Sequence, residues 1–146
     1  MKYFEDYAVD SKHPLGEYHV SGDEIVEFAK KFDPQPYHLG LVGSDESEFG
    51  GLIASGWHVA SMFMRLFVTN VINDSSAEVS PGVDKLRWLR PVRAGDALTG
   101  ELTVTSTAPS LAHRQCGITT FEGGLTANEE TSVLQLSMHC MFRKRK

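Results

Sequence analysis

A carboxylate and an imidazole lie five residues apart in the segment Asp33-Pro34-Gln35-Pro36-Tyr37-His38. Pro34 disfavours the helical conformation at Asp33, so we expect the pair to lie on an irregular loop. A histidine titrates near neutral pH and exchanges protons, and a neighbouring carboxylate can share a water molecule with it. The residue types and their spacing therefore predict Asp33 and His38 as a general acid–base pair.

A glycine-rich apolar segment, residues 49–57, follows the pair and leads into a helix. Gly56 stands near the start of that helix, where the missing side chain allows a ligand to approach the backbone closely. The free N–H groups of a first helical turn point towards any anionic oxygen nearby. The two segments together predict one site rather than two unrelated features.

Two helices are predicted around these segments. Ser21 and Glu24 have the spacing of a capping box, and Val20 and Ile25 have that of a hydrophobic staple, so the first helix begins here. Its apolar positions keep the helical period and are Ile25, Phe28, Ala29 and Phe32. Residues 55–71 are apolar nearly all round, which predicts a long buried helix.

The later part of the chain changes to a period of two, which predicts strands. The expected strands are 83–92, 98–107, 114–121 and 132–143, and the short segments 10–13 and 15–19 are expected to pair at an edge. One face of the last strand is apolar and consists of Leu134, Leu136, Met138, Cys140 and Phe142. The predicted fold class is α+β, with one long central helix wrapped by a strongly curved antiparallel sheet.

The length of 146 residues fits one domain, residues 1–146. A net charge of −5 argues against nucleic-acid binding. The N-terminus lacks the apolar core of a signal peptide, and no apolar run approaches the length of a membrane span. We therefore expect a cytoplasmic protein without a membrane partner. Cys116 and Cys140 are too few for a zinc framework and are expected to be reduced thiols.

The segment from Phe32 to His38 resembles the Asp-x-x-Pro-x-His hydratase motif of MaoC-like dehydratases, the R-specific enoyl-CoA hydratase group with a hot-dog fold. The distance from this motif to Phe49–Gly56 is similar to the family's pattern. Leu89–Asp96 is similar to the family's strand-turn-strand after the central helix. The motifs cover residues 21–96, and the strand pattern extends the resemblance over the rest of the chain.

The resemblance implies syn addition of water across the C2–C3 double bond of an acyl-CoA thioester, or the reverse dehydration, in fatty-acid metabolism. In that reaction Asp33 and His38 orient and deprotonate one water and return a proton to C2. The Gly56 N–H is implied to donate to the thioester oxygen, with Ser55 and Trp57 as neighbouring substrate-binding residues. No metal or redox cofactor is implied. The family pairs subunits through sheet edges, which implies a homodimer or a higher homo-oligomer.

Two positions depart from the family's pattern. Gln35 stands where the motif usually has Asn, a change that the longer amide is expected to tolerate. A serine that lines the site in well-known members falls on Met64 when residues are counted from His38. This count puts in doubt a hydrogen bond that helps to seat the acidic residue, and it predicts a wider or more apolar pocket.

Other hypotheses stay open at this stage. A hot-dog thioesterase would use the same carboxylate to activate water against the thioester carbonyl. A non-catalytic acyl-thioester binding subunit is suggested by Met64. Asp33 as a turn residue bonded to its own backbone, with His38 packed beside it, needs no catalysis at all. A metal held by Asp33, His38 and His58 is less favoured, because the six histidines lack ligand spacing.

The sequence also suggests roles for three arginines near Trp88 and for four histidines. Arg87, Arg90 and Arg93 have the chemistry to bind CoA phosphates, but strand alternation would place Arg90 on the opposite face from the other two. A single phosphate clamp is therefore not expected. Four histidines are interpreted as surface or edge-strand residues: His13, His19, His113 and His139.

Overall fold

The computed structural model of the chain describes residues 1–41 and 50–146. Phe49, at the start of the predicted glycine-rich segment, lies outside the described residues. Within them the helices and strands follow in the order β1 (Lys12–His19), α1 (Gly22–Phe32), α2 (Pro36–Leu39), α3 (Gly56–Phe67), β2 (Gly82–Trp88), β3 (Ala97–Pro109), β4 (Cys116–Ala127) and β5 (Thr131–Arg143). A short 3-10 helix at Phe4–Asp6 precedes them, and a π-helical turn at Val68–Ile72 follows α3.

The five strands form one antiparallel sheet in the order β1-β3-β4-β5-β2. The apolar row predicted for the last strand is confirmed, since every second side chain from Leu134 to Phe142 is buried. These side chains belong to one hydrophobic cluster with the inner face of α3, which contributes Val59, Met62, Phe63, Leu66 and Phe67. The architecture is therefore α+β, as predicted, with the long helix packed on a sheet that curves around it.

The start of α1 follows the sequence prediction in part. The hydroxyl of Ser21 accepts a hydrogen bond from the backbone N–H of Glu24 at 3.2 Å, and Val20 and Ile25 are both buried. The reciprocal half of the capping box is absent, because the Glu24 carboxylate accepts from the hydroxyl of Tyr18 at 2.9 Å. Glu24 therefore links α1 to β1 instead of closing its own helix end.

The prediction that the segments 10–13 and 15–19 pair at an edge is confirmed for residues 12–19, which form the single edge strand β1 and pair with β3. Two other local predictions were wrong. His38 does not lie on an irregular loop, because Pro36 occupies the first turn of α2. A proline fits there, since the first-turn N–H needs no intrahelical partner. Nor is α3 buried all round: Trp57 is 61% exposed and Met64 is 39% exposed.

No helix among residues 1–41 and 50–146 is long and apolar enough to span a membrane. Cys116 and Cys140 are both buried, and each is a free thiol.

Candidate active site

Asp33 is placed by the end of α1. The residue adopts φ −151°, and Pro34 prevents the helix from continuing through it. Its carboxylate accepts two side-chain hydrogen bonds of 2.6 Å, from Ser55 Oγ to Oδ2 and from Gln35 Nε2 to Oδ1. These two hydrogen bonds lower the pKa of Asp33 below its ordinary value, and the bond from Ser55 has the larger effect. The carboxylate is therefore ionised at neutral pH.

His38 is buried in the single turn of α2, which Gly40 ends at φ 75°. Its Nδ1 lies 2.8 Å from the carbonyl oxygen of Ile53. A carbonyl only accepts, so Nδ1 carries the proton and donates, and in the neutral ring Nε2 keeps its lone pair. This Nε2 lies 3.5 Å from Oδ2 of Asp33.

When the His38 ring is neutral, the pair presents two hydrogen-bond acceptors side by side. The ionised Asp33 carboxylate has no proton to give, and the single N–H of a neutral His38 ring is on the other side, directed at Ile53. At 3.5 Å, both acceptors can receive the two protons of one water molecule. The arrangement can therefore orient a water and remove a proton from it.

The start of α3 supplies hydrogen-bond donors beside the pair. The N–H groups of His58 and Val59 both donate to the carbonyl of Ser55 at 3.0 Å. The N–H groups of Gly56 and Trp57 have no acceptor among the described residues, as expected for the first positions of a helix. Free first-turn N–H groups stabilise an anionic oxygen.

A pocket of about 350 Å³ opens between this helix start and the segment after β2. Ala54 N–H donates to the carbonyl of Val92 at 2.8 Å and joins the two walls. The lining residues are His38, Ile53, Ala54, Gly56, Val59, Trp88, Leu89, Arg90, Pro91 and Val92. The pocket is therefore mainly apolar, with the imidazole and the Gly56 backbone at its wall.

Trp88 covers Gly56 closely. Its indole N–H donates to the Gly56 carbonyl at 2.6 Å. A Cβ atom on Gly56 would lie 2.6 Å from the indole ring, a distance that real Cβ atoms do not show. Trp57 packs against Trp88 edge to face, with ring centroids 5.1 Å apart, while its own ring is largely exposed. Glycine is thus required at this position by the close approach of the ring.

The structure brings together four of the five residues predicted for the site: Asp33, His38, Ser55 and Gly56. Trp57 flanks the pocket through Trp88 and does not line it. The count that placed the site serine at Met64 was wrong, because Met64 is on the exposed side of α3. The fully buried Ser55 supplies the hydroxyl that seats Asp33.

Two site groups were missed by the sequence reasoning. The carbonyl of Ile53 fixes the His38 ring, and backbone oxygens leave no signal in residue types. Trp88, which caps Gly56, was visible only as an aromatic among arginines. Gln35 was noted as a replacement for Asn, and the structure gives it a hydrogen bond to Asp33.

The competing interpretations of these residues receive less support. Asp33 receives its side-chain bonds from Ser55 and Gln35, not from its own backbone. His58 does not join the pair, because its ring stacks on Phe28 with centroids 4.7 Å apart. No group of three or more His, Cys, Asp or Glu side chains within the described ranges could hold a metal ion.

His139 lies on the outer face of the sheet, away from the apolar row, as predicted, and its side chain is 30% exposed. Its Nε2 lies 2.7 Å from Asp84 Oδ2, and its Nδ1 lies 2.9 Å from Thr120 Oγ1. His139 is therefore held in a cross-strand network on the outer face of the sheet.

Comparison with known proteins agrees with this fold. The sequence profile of the MaoC like domain family matches residues 9–122. The crystal structure of a MaoC-like dehydratase from Rhodospirillum rubrum superposes with a TM-score of 0.88 at 32% identity, covering 100% of this chain and 99% of that one. R-hydratase PhaJ1 from Pseudomonas aeruginosa gives 0.76 at 20% identity, over 98% and 86% of the two chains.

A Mycobacterium tuberculosis protein, Rv0216, described as a double hotdog fold, gives a TM-score of 0.78 at 15% identity. The match covers 98% of this chain and 44% of that chain. The five-stranded antiparallel sheet with α3 packed on it is thus a hot-dog arrangement. Because the family profile spans most of the sequence and the fold is shared over the whole length, the chain belongs to the MaoC-like family of hydratases and dehydratases.

Proposed function

We propose that this chain is a hydro-lyase that adds water across the C2–C3 double bond of an enoyl thioester, or removes it in the reverse reaction. The observation that carries the proposal is the arrangement of Asp33 and His38. The Asp33 carboxylate lies 3.5 Å from His38 Nε2, and His38 lines a mainly apolar pocket whose wall also includes Gly56 with its free N–H. Water activation and enolate stabilisation need these two features together.

In the hydration direction, the water donates one hydrogen bond to His38 Nε2 and one to the Asp33 carboxylate. The lowered pKa of Asp33 keeps its carboxylate ionised, and histidine is the side chain suited to exchange protons near neutral pH, so we assign the proton transfer to His38 and the orientation of the water to Asp33. The water oxygen bonds to C3 while its proton moves to Nε2, and the C2–C3 π electrons pass to the thioester. The imidazolium then returns the proton to C2.

Negative charge develops on the thioester oxygen in the enolate-like transition state. The Gly56 N–H is the proposed donor to this oxygen, and one such donor contributes about 3–4 kcal/mol of transition-state stabilisation. Because one histidine removes and returns the proton from one side of the substrate, the addition is syn. Ser55 acts by seating Asp33, and Trp57 by supporting Trp88 at the rim.

The proposed substrate is an acyl-CoA thioester. A pocket of about 350 Å³ lies at the small end of ligand pockets, which favours a short acyl group. The proposed setting is cytoplasmic fatty-acid metabolism, without metal or redox cofactor. We also propose a homodimer or a higher homo-oligomer, because β1 and β2 are the sheet's edge strands and edge backbone groups favour pairing with another copy.

The test is the loss of enoyl-thioester absorbance with a series of trans-2-enoyl-CoA substrates, run beside an assay for free CoA thiol. We expect hydration by the wild type and its loss, by several orders of magnitude, in Asp33→Asn and His38→Asn. Asp84→Asn and His139→Asn are matched controls, because they alter another carboxylate–imidazole pair, 2.7 Å apart, outside the site. These controls are expected to retain wild-type rates.

Full activity in Asp33→Asn or His38→Asn would remove that residue from its proposed role. Thiol release without hydration would replace the proposal with a thioesterase. The argument for a non-catalytic binding subunit was based on Met64, and that basis is gone because Ser55 supplies the hydroxyl at Asp33.

A further inference from the structure

Arg90 lines the same pocket as His38 and Gly56. Its guanidinium donates to the neighbouring Leu89 carbonyl at 2.9 Å. No carboxylate of residues 1–41 or 50–146 comes within the 4.0 Å that defines an ion pair with it. Arginine has five N–H donors and stays charged at every physiological pH, so most of its hydrogen-bonding capacity is available to a ligand.

The rest of the pocket wall makes this charge distinctive. Apart from His38, the other lining residues are apolar or glycine. Arg90 is therefore the one permanently charged side chain on the described wall, and that wall includes no acidic residue. Arg90 is exposed at the mouth of the pocket, where a guanidinium can attract anionic ligands and bind carboxylate or phosphate through two parallel N–H groups.

Arg90 does not lie on a strand, because β2 ends at Trp88 and not at residue 92 as predicted. Strand alternation therefore does not place Arg90 on the face opposite Arg87. Arg90 lies in the segment that leads to Val92, whose carbonyl accepts from Ala54 at the pocket. Two residues of extended chain span at most about 7 Å, so the Arg90 backbone lies close to this hydrogen bond. Arg87, in contrast, is on β2 opposite Gln135 and does not line this pocket.

We propose that Arg90 binds an anionic group of the thioester substrate. This inference rests on the function proposed for the pocket and specifies the substrate class further. The chemistry that Arg90 recognises is shared by two parts of such a substrate: a phosphate of the CoA moiety, and a carboxylate at the far end of the acyl group. Both groups present a pair of oxygens that one guanidinium can bind, and the experiment separates them.

The experiment measures binding of three unreactive saturated thioesters by calorimetry: butyryl-CoA, butyryl-pantetheine, which has no phosphate, and glutaryl-pantetheine, which has a terminal carboxylate instead. The variants are Arg90→Met, Arg90→Lys and, as a matched control, Arg87→Met. Removal of the charge-assisted hydrogen bonds in Arg90→Met is expected to weaken binding roughly 10- to 100-fold. Arg90→Lys should keep part of the affinity, and Arg87→Met should bind like the wild type.

A weakening confined to butyryl-CoA supports the proposal with phosphate as the ligand. A weakening confined to glutaryl-pantetheine supports it with the acyl carboxylate. Equal binding of all three thioesters by Arg90→Met and wild type overturns it, as does an equal weakening in Arg87→Met, which would mean unspecific charge attraction. The proposal is also overturned if the wild type binds none of the three thioesters. Crotonyl-CoA hydration is measured separately, so a failure of the reaction is distinguishable from a failure of anion binding.

Discussion

Replacement of Ser55 by alanine tests how the candidate acid–base pair is assembled. Ser55 is fully buried, and its hydroxyl donates to Asp33 at 2.6 Å; this hydrogen bond is the largest cause of the lowered pKa of that carboxylate. A hydrogen bond to a charged group is worth about 1.5–3 kcal/mol. The Asp33 side chain keeps 18% exposure, so solvent replaces part of the missing interaction. We expect Ser55→Ala to lower the free energy of unfolding by about 1–2 kcal/mol at pH 7.

The destabilisation should depend on pH with a definite sign. A carboxyl whose pKa is lower in the folded state contributes stability above its unfolded pKa of about 3.9, and this contribution disappears as pH falls through the lower folded value. In Ser55→Ala the folded pKa of Asp33 returns towards its ordinary value. The stability difference between wild type and variant should therefore be full at pH 7 and should shrink below about pH 4.

Calorimetric unfolding at pH 7 and at acid pH measures this difference. For a protein of this size, 1 kcal/mol corresponds to about 2–4 °C in Tm, so a shift of roughly 2–8 °C is expected at pH 7. Ser61→Ala is the control, because that exposed serine on α3 donates only to the carbonyl of Trp57. A Ser55→Ala protein with wild-type Tm at pH 7 and wild-type hydration rates would refute the reasoning that Ser55 seats the carboxylate.

Three other perturbations test separate contacts. Gly56→Ala should reduce kcat/KM at least 100-fold and lower Tm, because the new Cβ would lie 2.6 Å from the Trp88 ring. The Gly56→Ala/Trp88→Ala double variant should recover Tm. An unchanged Tm in Gly56→Ala alone would contradict the close contact between Gly56 and Trp88. Burial lowers the pKa of His58, so the unfolded chain binds a proton at this ring more readily, and the wild type should lose stability as pH falls through about 6.5. Between pH 7 and 5, the free energy of unfolding measured by chemical denaturation should fall less in His58→Phe than in the wild type. Equal falls in the two proteins would contradict a buried neutral ring. Burial raises the pKa of the Cys140 thiol to about 11. At pH 8, Cys140 should therefore react with a thiol reagent much more slowly in the folded than in the unfolded protein, which mass spectrometry can follow. Equal reaction rates in the two states would contradict the burial of Cys140.

The acid–base pair could be predicted from the sequence because local backbone rules place it. Pro34 ends α1 before Asp33, and both residues of the pair lie within one short segment. The same prolines were also misinterpreted, since Pro36 begins α2 instead of excluding a helix. Proline excludes the interior of a helix but fits its first turn, so the conformation at His38 depended on which position Pro36 occupied.

The contacts that complete the site are not local. The Ser55–Asp33 bond joins residues 22 apart, and the His38–Ile53 bond joins residues 15 apart. Both depend on how the helix start at α3 is placed against α1 and α2, and residue types alone do not specify that placement. Counting from His38 to a family serine assumes an equal path length between the two segments, and this assumption led to Met64.

The helical period alone argues against Met64 as a site residue. Met64 is nine residues after Ser55, which at 100° per residue places it about 180° around the helix axis from Ser55. It shares its side of α3 with the exposed Trp57 and Ser61, whereas the buried positions Val59, Met62, Phe63 and Leu66 form the opposite face. A hydroxyl that reaches the end of α1 had to come from the start of α3, and Ser55, next to Gly56, has that position. One short Ser-Gly pair at a helix start thus provides both the support of the carboxylate and the free N–H that the proposed reaction requires.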